Sequence, residues 1–535
     1  MKLVFALFCP SRGFERGSRF CAGFSGIGAE VAEEALMVFS SLIFLFFFLP
    51  VVLTVSLLLR PSWRNAWLLA ASFFFYAWGE QGYVFVLLFS CLFNHACAVW
   101  LRRLDDGEPG WEQGQAGATR GVRARARKAV FVAGIALNLA LLCFYKYTHF
   151  LLESMSPVFA LMSVGPVHPD KMQVPVGISF FTFHAISCLC DVYARKIETG
   201  RSFWNFALYL SFFPKILAGP IFRFRDAAAQ LVARVMTFEQ IARGVERFIV
   251  GLGKKVLIAN PLALAADTVF SLPQAELSAG LAWFGLLCYT FQIYLDFSGY
   301  TDMAIGLGKM FGFEFPENFN YPYFSQSVRD FWRRWHITLS QWFRDYLYVP
   351  MGGNRHGARR EYFNLLVVFL LCGLWHGANW TFVIWGVWHG LFLIAERTAF
   401  GRMVEAAWRP LRQAYAMGVV MIGWALFRSD GIAQAGTYIA AMFGFSEPVP
   451  GKYPVAMVLN REVLLALVAA SLVSLPVWST IRARGSHLLP AVVNSGRGTI
   501  PGWRCSYVVF LGIVFMLSSM ALMGGTYNPF IYFKF

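Results

Sequence analysis

Runs of apolar residues about 20 long recur along this chain, the length an α-helix needs to cross a ~30 Å hydrocarbon layer. The clearest are Phe39–Leu59, Ala129–Phe150, Leu281–Tyr300, Arg461–Thr480 and Ser506–Met523. Inside lipid every backbone N–H and C=O must find a partner within the protein, so only helices and closed barrels span. Runs of this length select helices. Composition agrees, with 57% of residues hydrophobic and 14% charged, against about 25% charged in a soluble chain. Mean hydropathy is +0.53. The expected fold is an all-α polytopic membrane protein, in contact with membrane lipid and without a soluble domain.

The net charge of +16 does not point to nucleic acid, because the basic residues sit in short loops between apolar runs. "GVRARARK" (Gly121–Lys128), "RHGARR" (Arg355–Arg360) and "STIRARG" (Ser479–Gly485) are the main clusters. That is how the positive-inside rule distributes charge. Taking the loop Arg102–Lys128 as cytoplasmic puts Gly79–Tyr83 outside and Phe313–Glu361 inside, with about twelve crossings in all. The segment "FWNFALYLSFFPKILAGPIFRFR" (Phe203–Arg225) is interrupted by Pro214 and Pro220. Proline removes a backbone donor and kinks a helix, so a re-entrant hairpin is expected there. Two short segments, Tyr362–His376 and Trp380–Ala395, are expected to go out and back. The ten cysteines lie mostly in apolar stretches, and Cys188 and Cys190 lack the CxxC spacing. Neither a disulfide framework nor a zinc site is expected.

One stretch breaks the apolar pattern: "FWRRWHITLSQWFRDYLYVPMGG" (Phe331–Gly353). At about 100° per residue, Trp332, Trp335, Leu339, Trp342 and Tyr346 form one stripe. Arg329, Arg333, His336, Ser340 and Arg344 form a second. The spacing predicts an amphipathic helix lying along a membrane surface.

Among nine histidines, His376 in "LLCGLWHGANWTFVIWGVWHG" stands at the end of an apolar run, three residues before Asn379. A titratable group at membrane depth is costly and is a functional candidate by default. A histidine bonded to a neighbouring helix fits the spacing equally well. On a continuous helix His389 would face about 140° away, which suits a structural role. Asp296 and Asp302 in "YLDFSGYTDMA" read as helix-pinning or loop-capping groups, with support of the site as a second role. No HExxH, Walker or GxSxG motif occurs. His336 and His376 alone make a poor metal site, and no bound metal is expected.

In these residues the sequence resembles the membrane-bound O-acyltransferase family, in the bacterial branch that includes alginate O-acetylation and D-alanyl transfer proteins. "PVGISFFTFHAISCLCDVY", "SFFPKILAGPI", "GLGKKVLIAN", "QIYLDFSGYTDMAIGLGKMFGF", "FWRRWHITLSQWFRDYLYVPMGGNR", "LWHGANW" and "NPFIYFKF" carry the likeness, in that order, from Met37 to Phe535. The resemblance implies a helical toroid of about 11–12 transmembrane helices, with a re-entrant segment and cytosolic amphipathic helices around a central tunnel. It makes His376 the catalytic histidine and His336 the second family histidine. It implies acetyl-CoA as the acyl donor, with no bound cofactor. It also implies residence in a bacterial inner membrane, and delivery of acetyl groups to an extracytoplasmic polysaccharide such as alginate. The partner implied there is a periplasmic SGNH-type acetyltransferase. D-alanyl or peptidoglycan acyl transfer is the alternative within the family, and a transporter or export subunit the alternative outside it.

The chemistry fits. Acyl transfer needs a base near neutrality, and histidine has an ordinary pKa of about 6.5. A positioned base contributes roughly 10²–10⁴-fold. Asn379 is a candidate donor to the thioester carbonyl. Arg329, Arg333, Arg344 and Arg355 are candidates for the donor's phosphates and for lipid headgroups.

Two terminal expectations complete the reading. Residues 1–36 carry Lys2, Arg12, Arg16 and Arg19 on the side where such charges are disfavoured, so translation is expected to start at Met37. The aromatic ending "YNPFIYFKF" is expected to tuck into a groove, with an interfacial aromatic belt as the competing reading. Its "FIYFKF" resembles the ending of a small partner protein of D-alanylation systems. That resemblance makes Tyr532 a candidate acyl relay.

Overall fold

Prolines and short side-chain caps cut the apolar sequence into helices of very different lengths. The computed structural model describes residues 37–80, 82–105, 116–162, 173–197, 202–448, 451–476, 502–525 and 530, with no strand among them. The expected N-terminal extension (1–36) and Tyr532 lie outside the described residues. After a π-turn at Phe44–Phe48, α1 (Leu49–Leu58) and α2 (Pro61–Gly79) each begin with proline in the first turn, where its missing N–H costs nothing. The helices α3 (Val84–Arg103), α4 (Ala116–Leu161) and α5 (Ile178–Tyr193) follow.

The re-entrant expectation holds as two short helices, α6 (Phe203–Ser211) and α7 (Phe213–Ile216), then extended backbone and α8 (Phe224–Val232). At nine residues α6 is about 14 Å long, too short to span. Every residue from Phe206 to Phe222 is buried, so protein rather than lipid satisfies the broken backbone.

A Thr237–Gln240 capping box starts α9 (Phe238–Gly253), which continues through a π-turn at Lys254–Ala259 into α10 (Asn260–Ser271). It packs on α11 (Ala279–Met310), where a Cβ at Gly251 would meet the carbonyl oxygen of Gly299. Small residues let helix backbones approach this closely. The π-turn turns two consecutive lysines onto α11: Lys254 pairs with Asp302 and Lys255 with Asp296, both at 2.7 Å. Arg247 adds a second partner for Asp302.

The predicted amphipathic helix is two helices. α12 (Val328–Arg334) stops, His336 adopts left-handed backbone (φ 43°, ψ 55°), and α13 (Ile337–Phe343) starts in a new direction before a π-turn at Arg344–Tyr348. Its aromatic stripe is not laid on lipid. Trp332 packs on Phe369 and Trp385, Trp335 on Trp424, and Trp342 stacks on Phe183 at 3.8 Å.

The two short segments form α14 (Ala358–His376) and α15 (Trp380–Ala395). They are followed by α16 (Ala399–Ala406), α17 (Arg409–Arg428), α18 (Ile432–Met442), α19 (Arg461–Ser474) and α20 (Gly502–Met523). Among the described residues four stretches are long and apolar enough to cross a membrane: Val84–Arg103, Gly121–Phe159, Phe238–Ser271 and Cys505–Met523. Several of the others are short or interrupted, whereas α11, at 32 residues, is long enough but less apolar.

Candidate active site

His376 is the last residue of α14, and the chain turns extended at Gly377 before Asn379 caps α15. His376 is 4% exposed. It sits in an aromatic sleeve, with ring centroids of Trp375, Trp385 and Phe427 at 4.9, 5.1 and 5.3 Å. Because the helix breaks after His376, the continuous-helix argument that turned His389 away fails. Both histidines stand edge-on to the same Trp385 ring, 5.1 Å from each. His389 nevertheless accepts a bond from Trp332 Nε1 and is closed in by Phe331 and Trp385.

His336 is fully buried at the α12–α13 break. Its Nδ1 lies 3.1 Å from Asn318 Oδ1, which also accepts from the Thr338 amide and hydroxyl. A backbone N–H can only donate, so Asn318 presents oxygen there and His336 Nδ1 must carry the proton. That fixes the tautomer: Nε2 offers its lone pair, buried and without a protein partner among the described residues. Trp375 neighbours both histidines, its ring 6.1 Å from His336 and 4.9 Å from His376.

Two cavities approach α14 on either side of His376. The first, about 220 Å³, is lined by Arg329, Arg333, Arg344 and Arg397, then by Trp332, Val368, Phe369 and Cys372. It is a cationic mouth leading to apolar walls. The second, about 370 Å³, is lined by Gly377, Asn379, Lys146, Gln292, Tyr289, and the ion-paired Arg428 and Asp267. Cys372 is one turn before His376, and Gly377 directly after it.

The sequence-predicted residues therefore divide. His376 and His336 share Trp375, Arg329, Arg333 and Arg344 share one cavity, and Asn379 borders the other. Arg355 is exposed in the turn before α14 and stands outside the arginine lining. Asp296 and Asp302 are engaged by Lys255 and by Lys254 with Arg247, the pinning role. Asn379 works as a helix cap, its Oδ1 accepting from Thr381 N–H and its Nδ2 donating to the Asp430 carbonyl. Of the aromatic ending only Phe530 is among the described residues: it is buried, stacked on Tyr300 at 4.4 Å and near Phe297, whose ring stands 4.8 Å from His336. Sequence reasoning missed Asn318, Arg397 and Lys146. For Lys146 the signal was present, an ionisable residue within the Ala129–Phe150 run, the same rule that singled out His376.

A family model described as MBOAT, membrane-bound O-acyltransferase family, matches residues 135–428. The chain belongs to the membrane-bound O-acyltransferase family. It is similar to the probable alginate O-acetylase AlgI of Azotobacter vinelandii, 38% identical over 519 residues, covering 93% of this chain and 100% of that one. The like-named protein of Pseudomonas aeruginosa is 41% identical over 409 residues, 76% of this chain and 75% of that one. The peptidoglycan O-acetyltransferase of Helicobacter pylori is 34% identical over 447 residues, 77% and 80% respectively. As a membrane-bound O-acyltransferase the chain is an enzyme of membranes, which answers the choice against a transporter.

Proposed function

We propose that this enzyme moves acetyl groups from acetyl-CoA on the cytosolic side of a bacterial inner membrane, for O-acetylation of an extracytoplasmic polysaccharide such as alginate. The observation that carries the reading is that the residues flanking His376 in the chain line two different cavities, Cys372 a cationic one and Gly377 a second, polar one. Arginines suit the donor's phosphates, since the guanidinium fork pairs with them bidentately. The apolar walls beyond suit the pantetheine arm. An acceptor hydroxyl at the second cavity attacks the thioester carbonyl, and His376 takes the hydroxyl proton as the C–O bond forms. The C–S bond then breaks, and the proton leaves on the CoA thiolate, so His376 ends as it began. The relatives named as alginate and peptidoglycan O-acetylating proteins support acetyl as the cargo. A periplasmic SGNH-type acetyltransferase is the partner that suits delivery to the polymer.

The test is reconstitution of the full chain in liposomes with radiolabelled acetyl-CoA. Wild-type protein should release CoA and label an acceptor added at the other face, and His376→Ala should do neither at equal abundance. Full transfer by His376→Ala, or a preference for D-alanyl over acetyl donors, would overturn the reading.

A further inference from the structure

A helix ends with four carbonyls that its own N–H groups cannot reach, and α14 ends beside the base it carries. Gly377 N–H closes on Gly373 O at 3.4 Å. The remaining three carbonyls are met from α4. Tyr147 Oη donates to Leu374 O at 2.6 Å, and Lys146 Nζ donates to Trp375 O at 2.6 Å and His376 O at 3.1 Å. These partners come from a helix some 230 residues earlier in the chain, so the contact is tertiary rather than local.

We propose that Lys146 is a positioning residue for acyl transfer, closing the C-terminal end of α14 with Tyr147 and thereby fixing where the His376 ring stands. This rests on the reading of His376 as the base. An ammonium group at a helix C-terminus is favoured by the helix dipole, which gives a reason for a lysine inside an apolar span where it is otherwise costly. Lys146 also borders the second cavity beside Gly377 and Asn379. Without it, water from that cavity reaches the bare carbonyls, and the break between α14 and α15 loses its anchor. The ring then departs from its place among Trp375, Trp385 and Phe427. A displacement of about 1 Å at a catalytic group costs about 10²-fold in rate.

The experiment compares Lys146→Met, Lys146→Arg, Tyr147→Phe and His376→Ala in the full chain, reconstituted and matched for abundance, with acetyl-CoA as donor. Lys146→Met should lower kcat by about 10²-fold while leaving KM for acetyl-CoA near wild type. Lys146→Arg keeps a cationic donor and should recover most of the loss. Tyr147→Phe should give a smaller fall in kcat. A wild-type kcat in Lys146→Met would overturn the proposal, as would a raised KM with kcat unchanged, or Lys146→Arg as impaired as Lys146→Met. Should Lys146→Met fail to accumulate, near-normal kcat in Lys146→Arg with a reduced kcat in Tyr147→Phe supports the proposal, and the reverse pattern overturns it. Activity retained by His376→Ala would show that the assignment of the base had failed, a different result from any of these.

Discussion

At the scale of single residues, Asn318 shows how much depends on a group with no visible chemistry of its own. Its side-chain oxygen collects three donors and so dictates which nitrogen of His336 holds the proton. Asn318→Leu is expected to cut acyl transfer by about 10–100-fold, as loss of an orienting partner does for histidine ligands, whereas Asn318→Asp keeps the acceptor and should retain most activity. Steady-state rates of the two variants at equal abundance check this. Glu80 offers a pH test away from the site, in the turn after α2. Burial pushes its carboxyl up to about 7, opposed by the Val176 backbone N–H, against about 4.3 in an unfolded chain. Between those values the folded state holds the extra proton, so stability is greatest at the acid end, falls as pH rises and levels off above the upper value. Thermal melts across that window should show the decline in wild type, and Glu80→Gln should flatten it and melt higher at the alkaline end. His376 was legible in the sequence because a polar residue in an apolar run stands out. Asn318 was not, because its role exists only once the left-handed turn at His336 brings Thr338 and the imidazole to one oxygen.

Among the helices, the pair α14–α15 sets the geometry of the base. A Cβ on Gly373 would overlap the Phe382 carbonyl oxygen, and one on Gly386 the Phe369 carbonyl oxygen, so the two backbones touch directly. Gly373→Ala must part them three residues before His376. The expected outcome is at least a tenfold loss of activity or failure to accumulate, since overpacking costs about 1–3 kcal/mol. Gly418→Ala, with open space around its Cβ, is the silent control, and immunoblotting with the transfer assay separates the outcomes. The apolar runs located this pair well, giving α15 its observed bounds because a proline-free apolar run has polar breaks at both ends, whereas helix periodicity served the next region less well. It misread the α12–α13 region as one helix on a membrane surface. Periodicity reports that a face is apolar, not whether lipid or protein covers it, and no propensity marks a histidine that turns left-handed.

For the molecule as a whole, charge in the loops and the length of the apolar runs conveyed a multi-pass helical protein. They did not convey how many of its helices are short or broken. Backbone breaks such as Phe212 and Gly377 are affordable only where neighbouring elements satisfy them, and a linear sequence does not display neighbours. The convergence of arginines 329, 333, 344 and 397 is tertiary for the same reason. The two cavities bear on something other than catalysis. A polar recess on each side of one side chain is nearly a wire through an insulator, and a membrane that holds a voltage cannot tolerate one. The rings of Trp375, Trp385 and Phe427 surround His376 with apolar surface, and apolar constrictions of this kind block ions by dewetting. Phe427→Ala should therefore make proteoliposomes leak protons, visible as faster decay of an imposed potential read with a voltage-sensitive dye. Decay no faster than wild type would assign the barrier elsewhere.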